Sequence, residues 1–392
     1  MNRRDHMFHY LKFANYFITT LLGISTIFFA QYWILFGFGI FIAFYVIGDM
    51  FFGEDLSQPN LNKKWQLNAM LYASVPTTFI LMIACVWLVT PFDWPAMHWL
   101  SANLGYDFVT AKANTHIIEI LVATIFCGLM LSGVATVVGH ELIHRIGNKI
   151  AITTGRFLMA LSFDASFSIE HVFNHHVHVA TENDPATAPR GRSIYKHVPI
   201  AIWGTNKSAW QLEKKRLIRK KQHQFSLHNQ FITGWLMTSV WLGCVFLVGS
   251  WQGVLFVTGV GIVAKIVLEI VNYMEHYGLV RHPRERVMPK HSWNTNRKIS
   301  CWAMFNLPRH SHHHSNCAIP FEELEAMPDA PVMLGGYIST IALVLLPPLW
   351  FKLMKPKLQH WDDTMANESE LAILRLQQAQ SLPSDQDKRR LI

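Results

Sequence analysis

Histidine is unusually frequent in this chain of 392 residues: it occurs 21 times, against 26 aspartates and glutamates together. Imidazole is the commonest metal-ligating side chain, and nine of the histidines fall in four short clusters with close spacing. The nine are His140, His144, His171, His175, His176, His276, His310, His313 and His314. Histidines at this spacing predict a metal-binding region.

The first cluster reads His-Glu-Leu-Ile-His, from His140 to His144. On a helix, positions four apart share a face, so both imidazoles can reach one ion. Taken alone, this motif indicates a zinc protease with Glu141 as the general base. A structural HExxH is not rare, so the motif needs support from the rest of the chain.

The second cluster runs from Glu170 to His176. His171 and His175 repeat the spacing of four. On an α-helix His176 lies about 100° round from His175, so it can face a second ion, although the sequence does not say which histidine serves which ion.

The other two clusters differ in how strongly they indicate a metal site. His276 is a single histidine beside Glu275, and a lone histidine is more often a buried side chain satisfied by a hydrogen bond. Its position at the end of an apolar run favours a ligand. The fourth cluster contains His310, His313 and His314, and such a run is also found in solvated tracts with incidental metal affinity. Its agreement in spacing with the first two clusters favours ligation.

The number of imidazoles constrains the chemistry. Nine exceed the four ligands of a structural zinc and the three protein ligands of a catalytic zinc, so two ions are predicted. Imidazole suits zinc, copper, iron and nickel alike, and spacing does not choose among them. Apolar segments next to the clusters favour a redox metal pair beside a hydrocarbon pocket. The prediction is a non-haem diiron oxygenase.

The elements that carry these clusters are membrane helices. Half of the residues (51%) are hydrophobic and 15% are charged, against about 25% charged in soluble domains, and the mean hydropathy is +0.19. A span needs about 20 apolar residues, and six runs qualify, of which the first two read as a tight hairpin. They cover residues 12–30, 32–52, 68–90, 116–138, 231–249 and 253–275.

The predicted fold class is an all-α integral membrane protein with six transmembrane helices and a cytoplasmic, histidine-rich, diiron-binding region. Residues 1–361 form one catalytic domain, and residues 362–392 form a polar tail that we expect to be solvated and partly helical. Residues 332–351 are apolar, but they contain paired glycines and paired prolines. For them we favour a docked or interfacial segment over a seventh span.

Lysine and arginine counts set the orientation. The N-terminal tail and residues 139–230 and 276–310 are basic, whereas residues 91–115 carry only Lys112. Because cytoplasmic loops carry the excess of positive charge, both termini and all four clusters are predicted to be cytoplasmic, in the inner membrane. The net charge of +8 does not indicate nucleic acid, since the basic residues flank apolar runs and form no aromatic-rich patch.

The segments His140–His144, Glu170–His176, Asn272–Gly278 and Leu307–His314 resemble, in order and spacing, the histidine boxes of the integral-membrane alkane 1-monooxygenases. This family belongs to the membrane fatty acid desaturase and hydroxylase superfamily. The likeness covers about residues 40–361. It implies insertion of one oxygen atom from O₂ into a C–H bond at a diiron centre, most readily the terminal hydroxylation of medium or long n-alkanes taken from the bilayer. It also implies electron supply by rubredoxin and an NAD(P)H-dependent rubredoxin reductase.

This chain departs from the family pattern at three positions. Asn174 stands where the family usually has glycine, Pro308 where it has glutamine, and His312 where it has aspartate. The candidate ligands are unchanged. The departures are expected to alter the groups that hold the ligands.

Carboxylates and aromatic residues near the boxes complete the predicted site. Glu275, Asp184, Glu141 and Glu170 are candidates to hold ligand N–H groups; the alternative is helix capping or local ion pairing, and we favour the first role for Glu275 and Asp184. A second set is predicted to close the far end of a substrate pocket, although at helical spacing such residues often only pack. This set is Phe41, Phe44 and Tyr45.

Two alternatives stay open. One keeps the diiron site but makes the enzyme a desaturase or a hydroxylase of fatty acyl or alkyl-aromatic substrates. The other is a metal-handling membrane protein, which would need ionisable residues along a path through the membrane. Only Lys265 and Glu269 lie deep in a span, and at a spacing of four they are expected to pair. The basic run Lys214–Lys221 is expected to face lipid headgroups, or to attract an acidic electron-transfer protein.

Overall fold

A computed structural model of the protein describes residues 3–381. Over this range the chain forms helices and no β-strand, apart from two isolated bridges, so the all-α prediction is confirmed. The helices before the second histidine cluster are α1 Arg3–Leu11, α2 Asn15–Phe29, α3 Tyr32–Phe51, α4 Lys64–Val89, α5 Pro95–Leu104, α6 Phe108–Ala113, α7 Ile117–Leu131, α8 Val138–Ile143 and α9 Lys149–Leu161. The later ones are α10 Phe167–Glu170, α11 His176–His178, α12 Ile194–Arg219, α13 Gln230–His276, α14 Lys298–Ala303, α15 His310–Ser315, α16 Tyr337–Val344, α17 Pro347–Thr364 and α18 Glu368–Ser381.

Five helices in this range are long and apolar enough to cross a membrane, or six if the bent pair α16–α17 counts as one. The five cover Met7–Phe29, Tyr32–Phe51, Lys64–Val89, Ile117–Ile143 and Gln230–His276. The chain is therefore a multi-pass membrane protein by the length and composition of its helices.

The longest of these helices, α13, is two antiparallel arms. Ser250 has a φ of 56° and a ψ of −164°, which is not helical. A Cβ placed at Gly253 would lie 3.4 Å from Cγ1 of Val245, whereas residues eight apart on a straight helix are separated by about 12 Å. The chain reverses at Ser250, at the boundary predicted between residues 231–249 and 253–275.

The first pair of helices is the predicted hairpin. Ala30 and Gln31 have φ values of 60° and 49°, and they turn the chain between α2 and α3. Gly37 allows the two helices to approach closely, because a Cβ there would lie 2.2 Å from the Thr26 hydroxyl oxygen. Small residues at such contacts are typical of membrane helices.

The segment 332–351 contributes to α16 and α17, which meet at an angle of 117°. Tyr337 and Trp350 are buried, so parts of the segment pack against the rest of the protein, and the choice between a docked segment and a seventh span stays a prediction. The angle is that of a broken span or a re-entrant segment.

In the part that the structure describes, the predicted solvated tail is exposed or partly exposed at most positions, but it is docked at two of them. The helix α17 continues to Thr364, and α18 follows it. Glu370 and Leu374 of α18 are buried. The Glu370 carboxylate forms an ion pair with Lys290 Nζ at 2.6 Å. The sequence concealed this docking because the partner lies 80 positions away. The helical part of the prediction is confirmed, and residues 382–392 lie outside the described range.

Candidate metal centre

The nine predicted histidines come together in two buried groups. Within each group, one ligating nitrogen of every ring lies within 4.8 Å of those of the others. The five-histidine group is His140, His144, His171, His176 and His313. The four-histidine group is His175, His276, His310 and His314.

The five-histidine group is assembled by α8, the second cluster and α15. His140 lies on α8, directly after the apolar helix α7 and a π-helical turn at Ser132–Val137. Its Nε2 is 2.8 Å from Nε2 of His171, which is itself 3.0 Å from Nε2 of His176. The Nε2 atoms of these three rings therefore lie close together.

The expected α-helical geometry of the second cluster is wrong. His171–His175 form a π-helical turn, in which the hydrogen bond runs from i to i+5 rather than i+4. Residues five apart are thereby brought to the same side, so His171 pairs with His176 in one group. His175 turns to the other group, where the α-helical spacing would place His176. Single π-turns are common at functional sites.

The four-histidine group takes its members from three elements. His276 is the last residue of α13, and His310 and His314 are four apart on α15, where they share a face. His310 Nε2 is 3.3 Å from His276 Nε2. His313, one position off this face, points to the five-histidine group.

Asp184 holds one of the ligand candidates. Its Oδ2 lies 2.9 Å from Nδ1 of His175, and the same oxygen accepts a hydrogen bond from Thr187 at 2.6 Å. Burial alone would lower the pKa of His175, but the charge of Asp184 raises it to about 8. A carboxylate that fixes the Nδ1 proton leaves Nε2 as the metal-facing nitrogen.

Glu275 lies beside the four-histidine group. Its Oε2 is 3.1 Å from Nε2 of His310, and its other oxygen accepts a hydrogen bond from the Tyr337 hydroxyl. Glu275 was predicted from the sequence, whereas nothing in the sequence indicates Tyr337, which is 62 positions away in the segment 332–351.

Among the described residues, the other two carboxylates form their hydrogen bonds and ion pairs with groups other than histidine rings. Glu141 forms an ion pair with Arg145 at 3.0 Å, which fits the alternative of local ion pairing rather than that of a general base. Glu170 accepts a hydrogen bond from Asn174 at 3.0 Å, so this departure from the family pattern supplies a partner for Glu170. Burial, reinforced by the charge of Asp184, raises the pKa of Glu170 to about 8.

The other two departures lie outside the groups. His312 is partly exposed, and its Nδ1 accepts a hydrogen bond from the Glu325 amide at 2.8 Å. The Pro308 carbonyl accepts from the Thr295 amide at 3.1 Å. Neither residue belongs to either histidine group.

The chemistry of the two groups fits metal ions. Burial, together with repulsion from neighbouring imidazoles, lowers the pKa values of His171, His176 and His313 well below the usual range. The rings are therefore neutral, as metal ligands must be. Among the described residues, His144 Nε2 and His313 Nε2 have no hydrogen-bond partner. Ring nitrogens that lie about 3 Å apart in a buried site must either share a proton or surround a cation, and the nitrogens left without a hydrogen-bond partner favour the cation.

An apolar cavity opens onto both groups. Its lining includes His140, His171 and His310, and also Phe41 and Tyr45 of α3. Leu129 of α7 is also part of the wall, and at 1.5 Å per residue it lies about 16 Å above His140. Phe44 is not part of the wall; its ring packs edge-on against that of Tyr45, with the centroids 5.5 Å apart.

Because Phe41 lines the cavity and Phe44 does not, we expect these two phenylalanines of α3 to have different roles. We expect Phe41→Ala to shift the product profile toward longer alkyl chains, because each methylene accommodated in an apolar site contributes about 1–3 kcal/mol. Phe44→Ala, the matched control, should leave the profile unchanged. Chain-length competition experiments with equal iron content check this. The same shift in both variants, or none in Phe41→Ala, would contradict the assigned lining.

A buried ion triad lies next to the groups. Lys265 contacts Glu269 at 2.8 Å, as predicted, and also Asp164 at 2.9 Å. Asp164, Lys265 and Glu269 line a smaller polar cavity that also touches His171 and His175. Asp164 was missed because it follows α9 in a turn, 101 positions from Lys265, and nothing in the sequence links the two.

A second buried network anchors the fourth cluster. The guanidinium of Arg309 donates to the carbonyl oxygens of Asp55 at 2.6 Å and Ser57 at 3.2 Å, and the Asp55 carboxylate pairs with Lys12 at 2.8 Å. Burial would raise the pKa of Asp55, but Lys12 and the Trp302 indole outweigh it and hold the pKa below the usual range. Residues near the N-terminus thus fix the position of His310.

Comparison with known proteins agrees with this architecture. The fatty acid desaturase family model matches residues 118–335. The chain is 33% identical to alkane 1-monooxygenase 1 of Pseudomonas aeruginosa over 89% of this chain and 91% of that protein. It is 38% identical to alkane 1-monooxygenase 2 of Alcanivorax borkumensis, where the match spans 58% of this chain and 60% of the relative. It is also 35% identical to XylM of Pseudomonas putida, the xylene/toluene monooxygenase hydroxylase component, over 62% of this chain and 66% of that protein.

The fold and the two histidine groups define a helical, multi-pass membrane protein of the desaturase and hydroxylase superfamily. Within it, the chain belongs to the alkane 1-monooxygenase family.

Proposed function

We propose that this protein is a membrane-bound non-haem diiron monooxygenase that hydroxylates the terminal carbon of medium or long n-alkanes to 1-alkanols. The apolar cavity whose lining includes His140, His171 and His310 is the observation that carries the proposal. A pocket for an alkyl chain that reaches both histidine groups suits oxidation of a C–H bond that has no activating group. The names of the relatives support the same activity.

Nine imidazoles in groups of five and four would hold two irons, with positions left for O₂. When bound, these irons would transfer electrons to O₂, so that one oxygen atom enters the C–H bond and the other leaves as water. The protein binds and orients the alkyl chain through the aliphatic and aromatic walls of the cavity, which also exclude water. Asp184 retains the Nδ1 proton of His175, and Glu275 offers an acceptor beside His310.

The reaction needs two electrons from outside, and we propose that they come from rubredoxin and its NAD(P)H-dependent reductase. The resemblance and the basic residues that flank the spans support this supply. An alkane, being insoluble in water, would enter from the bilayer lipids.

We further propose six spans in the inner membrane, with both termini cytoplasmic; α13 then crosses twice, once on each side of Ser250. A reporter fused after residue 392 should read cytoplasmic, and one inserted near Asn103 should read external, because the basic loops and the single-lysine loop differ in charge. Alkaline phosphatase and green fluorescent protein fusions check this. A cytoplasmic signal near Asn103 would show that the spans are miscounted.

Product analysis tests the function. The purified enzyme, supplied with rubredoxin, reductase and NADH, is offered n-alkanes, xylene, and fatty acyl substrates, and the products are identified by mass spectrometry with ¹⁸O₂. The proposal predicts ¹⁸O-labelled 1-alkanols. An alkene product would indicate a desaturase. Preference for xylene would favour the second candidate, a hydroxylase of alkyl-aromatic methyl groups, which the similarity to XylM supports.

A further inference from the structure

The C-terminal helix α18 reaches the neighbourhood of the metal centre through one buried carboxylate. Glu370 and His291 are both 0% exposed. His291 Nε2 donates to Oε1 of Glu370 at 2.7 Å, and Lys290 Nζ donates to Oε2 of the same carboxylate at 2.6 Å. Such a short, buried, charge-assisted pair is stronger than a neutral hydrogen bond.

The second ring nitrogen of His291 is also occupied. The amide of Met288 donates to its Nδ1 at 2.9 Å, so the ring proton sits on Nε2 and is directed at Glu370. Both nitrogens of His291 are therefore fixed, and with them the backbone turn at Pro289–His291.

This turn contacts a candidate ligand. The carbonyl oxygen of His291 accepts a hydrogen bond from Nδ1 of His276 at 3.4 Å. With its proton on Nδ1, His276 presents Nε2 to the site, where it faces Nε2 of His310. The next residue, Ser292, accepts through its carbonyl from Ser311 at 2.8 Å, so the turn also touches the fourth histidine cluster.

We propose that Glu370 is a positioning residue for the four-histidine group. It holds His291, and the His291 carbonyl sets the tautomer and the orientation of His276. The inference rests on the proposed function in one respect: the four-histidine group must hold an iron.

Other contacts keep the C-terminal segment docked when Glu370 is changed. Arg190 and Asp362 form a bidentate pair at 2.8 and 2.6 Å, and the Trp361 indole donates to the Lys290 carbonyl at 2.7 Å. Removing the Glu370 carboxylate should therefore release the His291 side chain without releasing α17.

The test measures iron per chain and the Mössbauer spectrum of four variants. Mutation of a group that orients a metal ligand typically lowers the metal affinity by about 10–100-fold. Glu370→Ala should lose the iron signal that is also lost in His310→Ala, and retain the other. Glu370→Gln keeps an acceptor for His291 and should restore that signal. Glu368→Ala, on the exposed side of the same helix, is the matched control and should match wild type.

Lys290→Ala separates positioning from docking, because it removes a docking contact of Glu370 but leaves the bond to His291. It should keep both iron signals. If Lys290→Ala and Glu370→Ala lose iron alike, or if Glu370→Ala keeps both signals, the positioning role is overturned. If Glu370→Ala does not accumulate, Glu370→Asp takes its place, because its shorter side chain withdraws the carboxylate from His291. Glu370→Asp should then lose the same iron signal. If it keeps both signals, the positioning role is overturned. A wild-type protein without iron would instead overturn the proposed function.

Discussion

Substitution of neighbouring histidines in the second cluster should empty different metal sites. We expect His176→Ala and His171→Ala to deplete the same iron signal, and His175→Ala to deplete the other, because the π-helical turn places His171 with His176. Each variant should abolish turnover, since neither iron alone completes the proposed centre. Iron analysis, Mössbauer spectroscopy and alkane turnover of the purified variants measure both effects.

The controls for this experiment are histidines far from both groups. His223 and His360 are exposed, and their replacement by alanine should leave iron content and turnover nearly intact. An ordinary α-helix would give the opposite pairing, with His171→Ala and His175→Ala depleting one signal. That outcome would contradict the grouping.

The second large effect concerns stability. Lys265→Met should lower the free energy of unfolding by about 3–5 kcal/mol, because it leaves Asp164 and Glu269 buried without their cation. The lysine side chain is only 8% exposed, and it bridges α13 to the turn after α9. Thermal unfolding of the protein in detergent, compared with wild type at equal iron content, measures the loss.

A compensated variant tests the reason for that loss. Lys265→Met combined with Asp164→Asn and Glu269→Gln removes the charges together, so much of the stability should return. Lys214→Met, at an exposed position of α12, should have no effect. If the triple variant is no more stable than Lys265→Met, the loss arises from packing rather than from uncompensated charge.

The sequence predicted the apolar helices well, because a run of about 20 apolar residues has few other stable environments than a membrane. It also predicted the hairpin at Ala30 and the reversal at Ser250, where polar or small residues interrupt the runs. The nine histidines were identifiable because their spacing repeats. Their division into two groups was not, since a π-turn leaves no periodic signal in five residues.

Long-range partners were the least predictable part of the site. Asp164, Tyr337 and Glu370 act through contacts across 101, 62 and 79 positions, and only the folded bundle brings them to Lys265, Glu275 and His291. Of the three aromatic residues proposed for the pocket, Phe41 and Tyr45 line it. Helical spacing alone does not say which of them faces inward when the neighbouring helices are unknown.

The metal content of the wild-type protein tests the central claim most directly. Protein purified anaerobically from cells grown with iron should contain about two irons per chain, because groups of five and four imidazoles fill two sites that keep positions open for O₂. Inductively coupled plasma mass spectrometry on protein quantified by amino-acid analysis gives the ratio. We expect a ratio near two for iron; a single tightly bound zinc, with iron absent, would contradict the diiron assignment.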